Sequence, residues 1–454
     1  MKVVKFGGSS LASGAQLEKV FQIVTADPSR KAVVVSAPGK RFSDDTKVTD
    51  LLIHCAEHYL QNGAAPELAE PVIERYAAIA RELNLDFSII ERICSDLFAL
   101  LNSSKANPDQ YMDAVKASGE DNNAKLIAAY FRRQGVKAEY VSPKEAGLFV
   151  TNEPGSAQVL PESYDHLYRL RNREGLIIFP GFFGYTKEHE IVTFSRSGSD
   201  ITGSILASGL KADLYENFTD VDAVYSVNPS IVRHPKEINE LTYREMRELS
   251  YAGFSVFHDE ALIPAFRAGI PVQIKNTNNP EAKGTRVVSS RDNTNGPVIG
   301  IASDTGFCSI YISKYLMNRE IGFGRKALHI LEEEGLTYEH VPSGIDDITI
   351  ILRHDQMDSE LEHRLVTRLK QELQADEVTV RHNLALIMVV GEAMRHNVGT
   401  TARASKALSE AGVNIEMINQ GSSEVSMMFG VKEEQEKQAV RALYDEFFAG
   451  VLLS

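Results

Sequence analysis

The sequence has few cysteines and no long apolar run. Its three cysteines, Cys55, Cys94 and Cys308, are scattered and form no CxxC pair, so neither a disulfide framework nor a zinc site is predicted. The longest apolar stretches, such as residues 384–390 (LALIMVV), are far too short to cross a bilayer. The first residues lack the apolar core and cleavage site of a secretory signal. We therefore expect a cytoplasmic protein that binds no membrane.

The chain also has no segment rich in lysine and arginine. It carries 62 acidic and 48 basic residues, a formal net charge of −14 at pH 7. Such a chain is poorly suited to hold a nucleic acid backbone, so no nucleic acid partner is expected. Its 454 residues, 43% of them hydrophobic, are enough for two or three domains with cores of their own.

Short β-branched segments alternate with helical patterns through the first two-thirds of the chain, which predicts an α/β fold with a mostly parallel sheet. Between residues 51 and 101, leucines and alanines recur at three- and four-residue spacing, so this stretch is predicted to be a helical insertion or cover. Residues 289–297 (SSRDNTNGP) have no periodic apolar pattern and predict a linker. The predicted strands are residues 2–6, 32–36, 138–141, 176–179, 191–194, 213–218 and 272–275.

The last third contains an internal repeat with an offset of 77 residues, which pairs Gly322 with Gly399 and Gly335 with Gly412 without a gap. Each copy reads as a βαββαβ unit of ferredoxin-like topology. Such a duplication is more typical of a ligand-binding or dimerising module than of an active site. The predicted segments are strands 308–313, 336–341 and 347–352 with helices 322–334 and 358–373, then strands 384–390, 413–418 and 424–431 with helices 399–411 and 432–447.

The first candidate for chemistry is the segment KFGGSS, which includes Lys5, Gly7, Gly8 and Ser9, between the first strand and a predicted helix. Paired glycines let backbone amides approach an anion, a helix N-terminus adds partial positive charge, and a lysine supplies a full charge for phosphate oxygens. A strand–turn–helix with a serine N-cap explains the same residues. The segment is not a Walker A loop, because GxxxxGK[ST] occurs nowhere in the chain.

Three further motifs place charged groups beside helix starts or strand ends. Arg196 suits a carboxylate, Asp200 can orient a lysine or a metal, and Glu120 can pair with an ammonium group. Residues 219–222 (TDVD) follow a predicted strand, where α/β sheets bind ligands. Each motif also has an ordinary structural explanation. Asp200 would be a helix N-cap beside a solvated Arg196, Glu120 would be an acid in the first turn of a helix that starts at residue 121, and residues 219–222 would form an Asx turn. A GxGxxA match at residues 322–327 lies inside the repeat, so a dinucleotide site is not predicted.

Taken together, these segments resemble the aspartokinase family over essentially the whole chain. The KFGGSS opening and residues 33–39 (VVVSAPG), 118–120 (SGE), 197–200 (SGSD) and 219–225 (TDVDAVY) match the family's motifs in order. The tail, with its QGSSE segment, resembles the family's paired ACT domains. The resemblance implies a three-layer amino-acid-kinase fold over residues 1–288, followed by two ferredoxin-like ACT domains at 298–380 and 381–454.

The resemblance also implies an activity and its residues. The expected enzyme is an aspartate kinase that uses ATP with Mg²⁺, the metal being carried by the nucleotide and not by protein ligands. It would make 4-phospho-L-aspartate for lysine, threonine and methionine synthesis. The implied catalytic residues are Lys5, Gly8, Ser9 and Asp200; the implied aspartate-binding residues are Ser36, Thr46, Glu120, Arg196 and Ser199; and the implied ATP-binding residues are Lys5, Gly7, Gly8, Thr219, Asp220 and Tyr225.

For the repeat, the resemblance implies feedback inhibition by an end product, with L-lysine as the first candidate and L-threonine as a possible co-effector. The implied effector-binding residues are Met317, Gly322, Phe323, Glu339, Ser343, Gly344, Asp346 and Asp347. The same residues suit a dimer interface, and a homodimer or homotetramer through the ACT domains is expected. Two alternatives stay open: a kinase for glutamate or acetylglutamate, and a catalytically inactive amino-acid sensor. The ACT pair and the Glu120 and Arg196 motifs argue against the first. Departures from the family pattern at Ser195, Ser197, Ser230 and Ser255 give the second some weight, which the intact Lys5, Arg196 and Asp200 reduce.

Overall fold

The computed structural model describes residues 1–195, 197–254, 260–292, 296–421 and 425–449. The chain divides into two compact units. The first comprises Met1–Val224, Glu237–Arg247 and Ser255–Arg291, and the second comprises Tyr225–Lys236, Glu248–Phe254 and Asp292–Ser454. Both copies of the repeat therefore lie in the second unit.

An eight-stranded sheet forms the centre of the first unit. Eight of the first twelve strands form this sheet, while β5 pairs with β6 and β8 pairs with β9 in two separate two-stranded sheets. The twelve strands are β1 (Lys2–Phe6), β2 (Arg30–Val35), β3 (Ala138–Tyr140), β4 (Leu176–Pro180), β5 (Phe183–Tyr185), β6 (Ile191–Thr193), β7 (Leu214–Thr219), β8 (Val224–Tyr225), β9 (Glu237–Ile238), β10 (Glu240–Thr242), β11 (Val272–Asn276) and β12 (Thr285–Val288). The order in the sheet is β10–β12–β11–β7–β1–β2–β4–β3. From β11 to β3 every neighbouring pair is parallel, whereas β12 runs antiparallel to β11. The predicted mostly parallel α/β sheet is confirmed.

The central strands are apolar on both faces. Val3, Val4, Val33 and Val34 are completely buried, as expected for parallel strands covered on both sides, which lack the alternation of a half-exposed strand. The predicted strand at residues 191–194 does form as β6, but it pairs antiparallel with β5 in a separate hairpin. Antiparallel neighbours need only a short connection, which these two segments have.

The helices of the first unit are α1 (Gly14–Ala26), α2 (Val48–Gln61), α3 (Glu70–Glu82), α4 (Ser88–Leu101), α5 (Pro108–Arg133), α6 (Pro143–Ala146), α7 (Glu162–Tyr168), α8 (Gly198–Gly209) and α10 (Ile263–Arg267). Helix α9 (Tyr243–Tyr251) begins in the first unit, and its residues from Glu248 onwards belong to the second. The helices predicted between residues 51 and 101 are α2, α3 and α4. They share one apolar cluster with α1, α5 and one face of the sheet.

One predicted helix start was wrong. Glu120 was placed just before a helix beginning at residue 121, but α5 begins at Pro108, so Glu120 lies in the middle of a 26-residue helix. The Asn107 side chain accepts a hydrogen bond from the Gln110 amide, 3.4 Å away. An asparagine cap followed by proline at the first helical position is a strong start signal, and the sequence interpretation overlooked it.

The second unit is built on a five-stranded antiparallel sheet with the order β14–β13–β15–β17–β16. Its elements are β13 (Gly300–Ser313), α11 (Phe323–Glu333), β14 (Asp347–Arg353), α12 (Ser359–Glu372), β15 (Glu377–Val390), α13 (Thr400–Glu410), β16 (Met417–Asn419), β17 (Ser426–Lys432) and α14 (Glu436–Phe448). The 14-residue strands β13 and β15 pair along most of their length. They join both repeats into one sheet, while each repeat keeps its own apolar cluster.

The predicted strand at residues 336–341 was wrong. Within this described stretch the structure has only an isolated bridge, between His340 and Ile351. Its counterpart in the second repeat, predicted at 413–418, is reduced to β16. Both segments lie at sheet edges, where a strand has one partner only, and Pro342 has no amide hydrogen to continue a ladder. Among the described residues, no helix is long and apolar enough to cross a membrane.

Candidate active site

The carboxyl ends of β1, β2, β4 and β7 meet at one edge of the sheet, and the predicted catalytic segments follow them. Lys5 stands in register between Val34 of β2 and Asn217 of β7. Ligands in open α/β sheets bind at this edge.

The glycine segment after β1 is closed by a second glycine segment after β2. Gly39 N donates to Gly8 O at 2.8 Å. A Cβ atom on Gly8 would lie 2.9 Å from Ala37 O, and a Cβ atom on Gly39 would lie 2.5 Å from the Gly8 carbonyl carbon, so neither position accepts a side chain. A Cβ atom on Gly7 would lie 3.5 Å from Lys5 Nζ. The glycines therefore let the two backbone segments pack closely against each other. They also leave space beside the Lys5 ammonium group.

The segment was predicted to open an α-helix directly, and this prediction was wrong. Residues Gly8–Leu11 form a short 3₁₀ turn, and α1 starts only at Gly14, where the Ser13 side chain accepts from the Gln16 amide. Ser9 and Ser10 are therefore not N-caps of α1. The Ser10 hydroxyl instead lies 2.7 Å from the Thr277 hydroxyl, beyond the end of β11.

Lys5 and Asp200, far apart in sequence, form a buried ion pair. Lys5 Nζ lies 2.6 Å from Asp200 Oδ1, and the two residues are 7% and 9% exposed. Asp200 is in the first turn of α8, where its amide donates to Ser197 O at 2.8 Å. A cation and a carboxylate this well buried hold each other in place.

Helix α8 starts from a strained serine. Ser197 has φ +59°, in the left-handed region, which costs a residue with a Cβ atom roughly 1–2 kcal/mol. Ser199 is buried against Gly181, where a Cβ atom would lie 2.6 Å from Ser199 Oγ. Arg196 lies outside the described residues, as does Ser255.

Glu120 faces the same region from α5. It is 5% exposed, and its Oε2 has no hydrogen-bond partner within the described parts of the chain. Burial raises the pKa of Glu120 to about 8, opposed by the backbone amide of Ala37 and by the charge of Lys5. The helix is held to the loop after β2 by Asn123, whose Nδ2 donates to Ser36 O at 2.7 Å. A buried carboxyl with an unused oxygen is suited to receive a cation.

The loop that carries Thr46 is held by Arg75 of α3, which the sequence interpretation missed. Arg75 donates to Gly39 O at 2.7 Å, to Thr46 O at 3.0 Å and to Asp45 Oδ1 at 2.9 Å. Arg41 bonds the same carboxylate from the exposed side. The sequence does contain a signal for this role, because Arg75 stands among the apolar residues on the buried face of α3.

The loop after β7 is held by the end of β11. Thr277 N donates to Thr219 O at 2.9 Å, and Thr219 Oγ1 lies 3.2 Å from Asp220 Oδ1. Asn276 Nδ2 donates to Asp222 Oδ1 at 2.8 Å. The structure thus brings Thr219 and Asp220 to the same sheet edge as Lys5. Tyr225 belongs to the second unit.

Most of the predicted effector residues meet where two turns of the first repeat contact each other. Leu316 N donates to Asp346 Oδ1 at 2.7 Å, and Asn318 N donates to Ile345 O at 3.1 Å. These bonds join two turns. The first turn contains Met317 and leads to Gly322 and Phe323, and the second contains Ser343, Gly344, Asp346 and Asp347. Gly322, with φ +78°, is the N-cap of α11.

Glu339 lies elsewhere in that repeat. Its amide donates to Ile351 O at 2.7 Å, towards the opposite end of β14 from Asp347. Its carboxylate accepts from the Tyr251 hydroxyl and lies 3.6 Å from Arg353 Nε. The structure therefore does not bring Glu339 together with the other seven residues.

The site belongs to a known family. The amino acid kinase family model matches residues 1–276, and an ACT domain model matches residues 387–447. The fold and these matches define an amino acid kinase that also contains an ACT domain. Aspartokinase 3 of Bacillus subtilis (strain 168) is 81% identical over 454 residues, covering 100% of both chains.

Solved structures agree with this match. Aspartate kinase of Clostridium acetobutylicum has a TM-score of 0.88 at 36% identity, covering 98% of this chain and 100% of that one. Aspartokinase III of E. coli in complex with aspartate and ADP (R-state) has a TM-score of 0.79 at 25% identity, covering 99% and 100%. The same enzyme with lysine and aspartate (T-state) has a TM-score of 0.80 at 25% identity, covering 99% of each chain. The chain belongs to the aspartokinases of the amino acid kinase family and is an aspartate kinase.

Proposed function

We propose that the enzyme transfers the terminal phosphoryl group of ATP to the side-chain carboxylate of free L-aspartate. The product is 4-phospho-L-aspartate, the first intermediate on the route to lysine, threonine and methionine. The observation that carries this proposal is the buried Lys5–Asp200 pair beside the glycine segment, at the ligand-binding edge of the sheet. The complex of E. coli aspartokinase III with aspartate and ADP supports the same substrates.

The chemistry requires neutralisation of charge more than proton transfer. A free aspartate side chain, with a pKa of about 3.9, is already ionised at neutral pH and needs no general base. Phosphoryl transfer passes through a loose transition state that is stabilised by positioning and positive charge. Lys5 supplies the fixed charge, the backbone around Gly7, Gly8 and Ser9 supplies amide donors, and Asp200 holds the lysine in place.

Mg²⁺ would be bound through the nucleotide. Among the described residues there is no group of three or more His, Cys, Asp or Glu side chains able to hold a metal ion. When bound, Mg²⁺ neutralises phosphate charge. Thr219 and Asp220 are the proposed contacts to the rest of the nucleotide.

Aspartate would be held at its ammonium and carboxylate ends. The unused oxygen of Glu120 is the proposed partner of the ammonium, and Arg196 is the proposed partner of the α-carboxylate. Ser36, Thr46 and Ser199 would complete the site. Because the Glu120 carboxyl is mostly protonated in the empty protein, binding of the aspartate ammonium group is expected to release the proton of this carboxyl.

Substitution of Lys5 tests the proposed function. We expect Lys5→Ala to lower kcat by at least about 100-fold in an aspartyl-hydroxamate assay, because the main fixed charge on the phosphoryl group is lost. Lys2→Ala is the matched control: Lys2 lies on the same strand but pairs with Asp27, 2.8 Å away, and should leave kcat nearly unchanged. Wild-type turnover by a folded Lys5→Ala variant would refute the proposed role.

We further propose that L-lysine, alone or with L-threonine, inhibits the enzyme by binding to the first repeat. Support comes from the ACT domain match and from the lysine complex of E. coli aspartokinase III. Asp346 is the proposed partner of the lysine side-chain ammonium, because Glu339 is occupied by Tyr251 and Arg353. Amides near Gly322 would bind the effector's carboxylate.

Inhibition curves for both amino acids test the regulatory proposal. We expect lysine to inhibit the wild type, Asp346→Asn to raise the inhibitory concentration by at least about tenfold, and Glu339→Gln, the matched control, to leave it within about twofold. An enzyme that neither amino acid inhibits, singly or together, would contradict the proposal, since an effector must bind one conformation better than another.

A further inference from the structure

The carboxylate of Asp200 has a second donor besides Lys5. Asn217 Nδ2 lies 2.6 Å from Asp200 Oδ1, the oxygen that is also 2.6 Å from Lys5 Nζ. Asn217 is 2% exposed and stands directly opposite Lys5 in the register of β1 and β7. Because both donors meet one oxygen, the carboxylate cannot rotate without breaking one of these contacts.

Tyr215 extends this contact to the helix backbone. Asn217 Nδ2 also donates to the Tyr215 hydroxyl at 3.1 Å, and that hydroxyl donates to the backbone carbonyl of Asp200 at 3.2 Å. Burial, with the charge of Asp200, raises the pKa of Tyr215 well above its ordinary value. The phenol therefore stays protonated and remains a donor throughout the neutral range.

A glycine in α8 makes room for this arrangement. A Cβ atom on Gly203 would lie 2.6 Å from Tyr215 Cζ. Glycine inside a helix costs about 1 kcal/mol relative to alanine, and here it allows the tyrosine ring to pack against the helix. Gly203, Tyr215 and Asn217 together hold the first turn of α8, which carries Asp200.

A packing role alone does not explain the side-chain amide of Asn217 in β7. Central parallel strands favour apolar residues, and burial of an amide costs about 1–3 kcal/mol unless it is hydrogen-bonded. The Asn217 amide donates to the Asp200 carboxylate itself and to the Tyr215 hydroxyl, which in turn donates to the Asp200 backbone carbonyl. We infer that Asn217 is a positioning residue for phosphoryl transfer, which keeps Asp200 Oδ1 against Lys5 Nζ. This inference rests on the proposed function of Lys5 and Asp200 and deepens it.

The first test is Asn217→Leu, which keeps the volume and removes the donor. We expect kcat to fall by about 10- to 100-fold while the KM values for aspartate and ATP change by less than about threefold, because a small misplacement of a catalytic charge has this order of effect. Ser204→Ala is the matched control. Ser204 is a fully buried residue of the same helix whose Oγ accepts from Ala265 N at 2.8 Å, and its loss should leave kcat within about twofold.

The second test is the pH dependence of Asn217→Asp. A protonated carboxyl at this position donates to Asp200 as the amide does, whereas an ionised one repels it, and neighbouring carboxyls share a proton at raised pKa. The kcat of Asn217→Asp relative to wild type should therefore fall as pH rises. The same ratio for Asn217→Leu should stay constant, because leucine does not titrate.

Lys5→Ala and Asp200→Ala in the same assay separate the proposed role of the Lys5–Asp200 pair from the positioning role of Asn217. If either keeps wild-type turnover, the proposed function of the pair fails. If both are inactive while Asn217→Leu turns over like wild type or like Ser204→Ala, only the positioning role is overturned. A constant activity ratio for Asn217→Asp across pH overturns it as well, and that ratio decides the question alone if Asn217→Leu does not fold.

Discussion

At the residue scale, the surroundings of a side chain change its chemistry, and Glu120 is the clearest case. A glutamate ordinarily ionises at a pKa near 4.3, but burial raises the pKa of Glu120 to about 8. Below that pH the empty site holds a neutral acid. An ammonium group beside it would favour the ionised form, so binding of aspartate and loss of a proton are coupled.

Proton release on aspartate binding follows from this coupling. At pH 7 we expect close to one proton to leave per aspartate bound, and the number should fall towards zero as pH rises above about 8, where the carboxyl is already ionised. Calorimetry in two buffers of different ionisation enthalpy measures the number directly. Glu120→Gln is the control and should release no proton from this position. Equal heats for the wild type in both buffers at pH 7 would contradict the prediction.

At the scale of elements, one buried arginine connects the helical insertion to the loops of the site. Arg75 of α3 is 4% exposed and bonds three groups of the loop between Gly39 and Thr46. The same loop closes on Gly8 through Gly39. The helices between β2 and β3 therefore do more than cover the sheet, because they shape the segment that follows β2.

Arg75→Met should destabilise the protein by about 3–5 kcal/mol, since it leaves Asp45 buried with only its exposed partner. The KM for aspartate should rise in the same variant because Thr46 is no longer held. Arg41→Ala is the control: this arginine bonds the same carboxylate from a 42% exposed side chain, and its loss should cost less than about 1 kcal/mol. The chain contains no tryptophan, so urea unfolding is best followed by circular dichroism. Similar losses from the two variants would contradict this account.

At the scale of the whole molecule, the two repeats expose equivalent apolar residues. Ile321 and Val398 are 96% and 105% exposed and occupy matching positions of the repeat, each just before the left-handed glycine that caps a helix. Singly exposed apolar residues are common, but the same exposure kept at both copies suggests a surface covered by a second chain.

The double variant Ile321→Asp and Val398→Asp should therefore shift the protein from the expected homodimer or homotetramer towards smaller species. Light scattering coupled to size-exclusion chromatography measures the mass. Phe87→Asp, at a 58% exposed position of the first unit, is the control and should leave the mass unchanged. A double variant with the mass of the wild type, or a wild type that is already monomeric, would count against an interface at these residues.

Periodicity and short motifs made much of this protein predictable. The run of valines in β1 and β2 was predictable because parallel strands that are covered on both faces are apolar throughout. The 77-residue repeat was predictable because matching residues recur at a fixed offset. The glycine and charge motifs were predictable for a similar reason: the carboxyl ends of parallel strands meet at one edge wherever the strands lie in the sheet. Glu216 and Asn217, two polar residues in an otherwise apolar strand, were a signal that was left unused.

The amino-acid order by itself determined the alternation of elements, the duplication and the set of residues with suitable chemistry. Only the tertiary structure decided which of them meet: that burial raises the pKa of Glu120, that Glu339 pairs with Tyr251, and that Asn217 and Lys5 share one oxygen of Asp200. The physical reason is that a residue's neighbours along the chain set its local conformation, whereas its pKa, its burial and its partners depend on groups up to 267 positions away, as in the contact between the hydroxyls of Ser10 and Thr277.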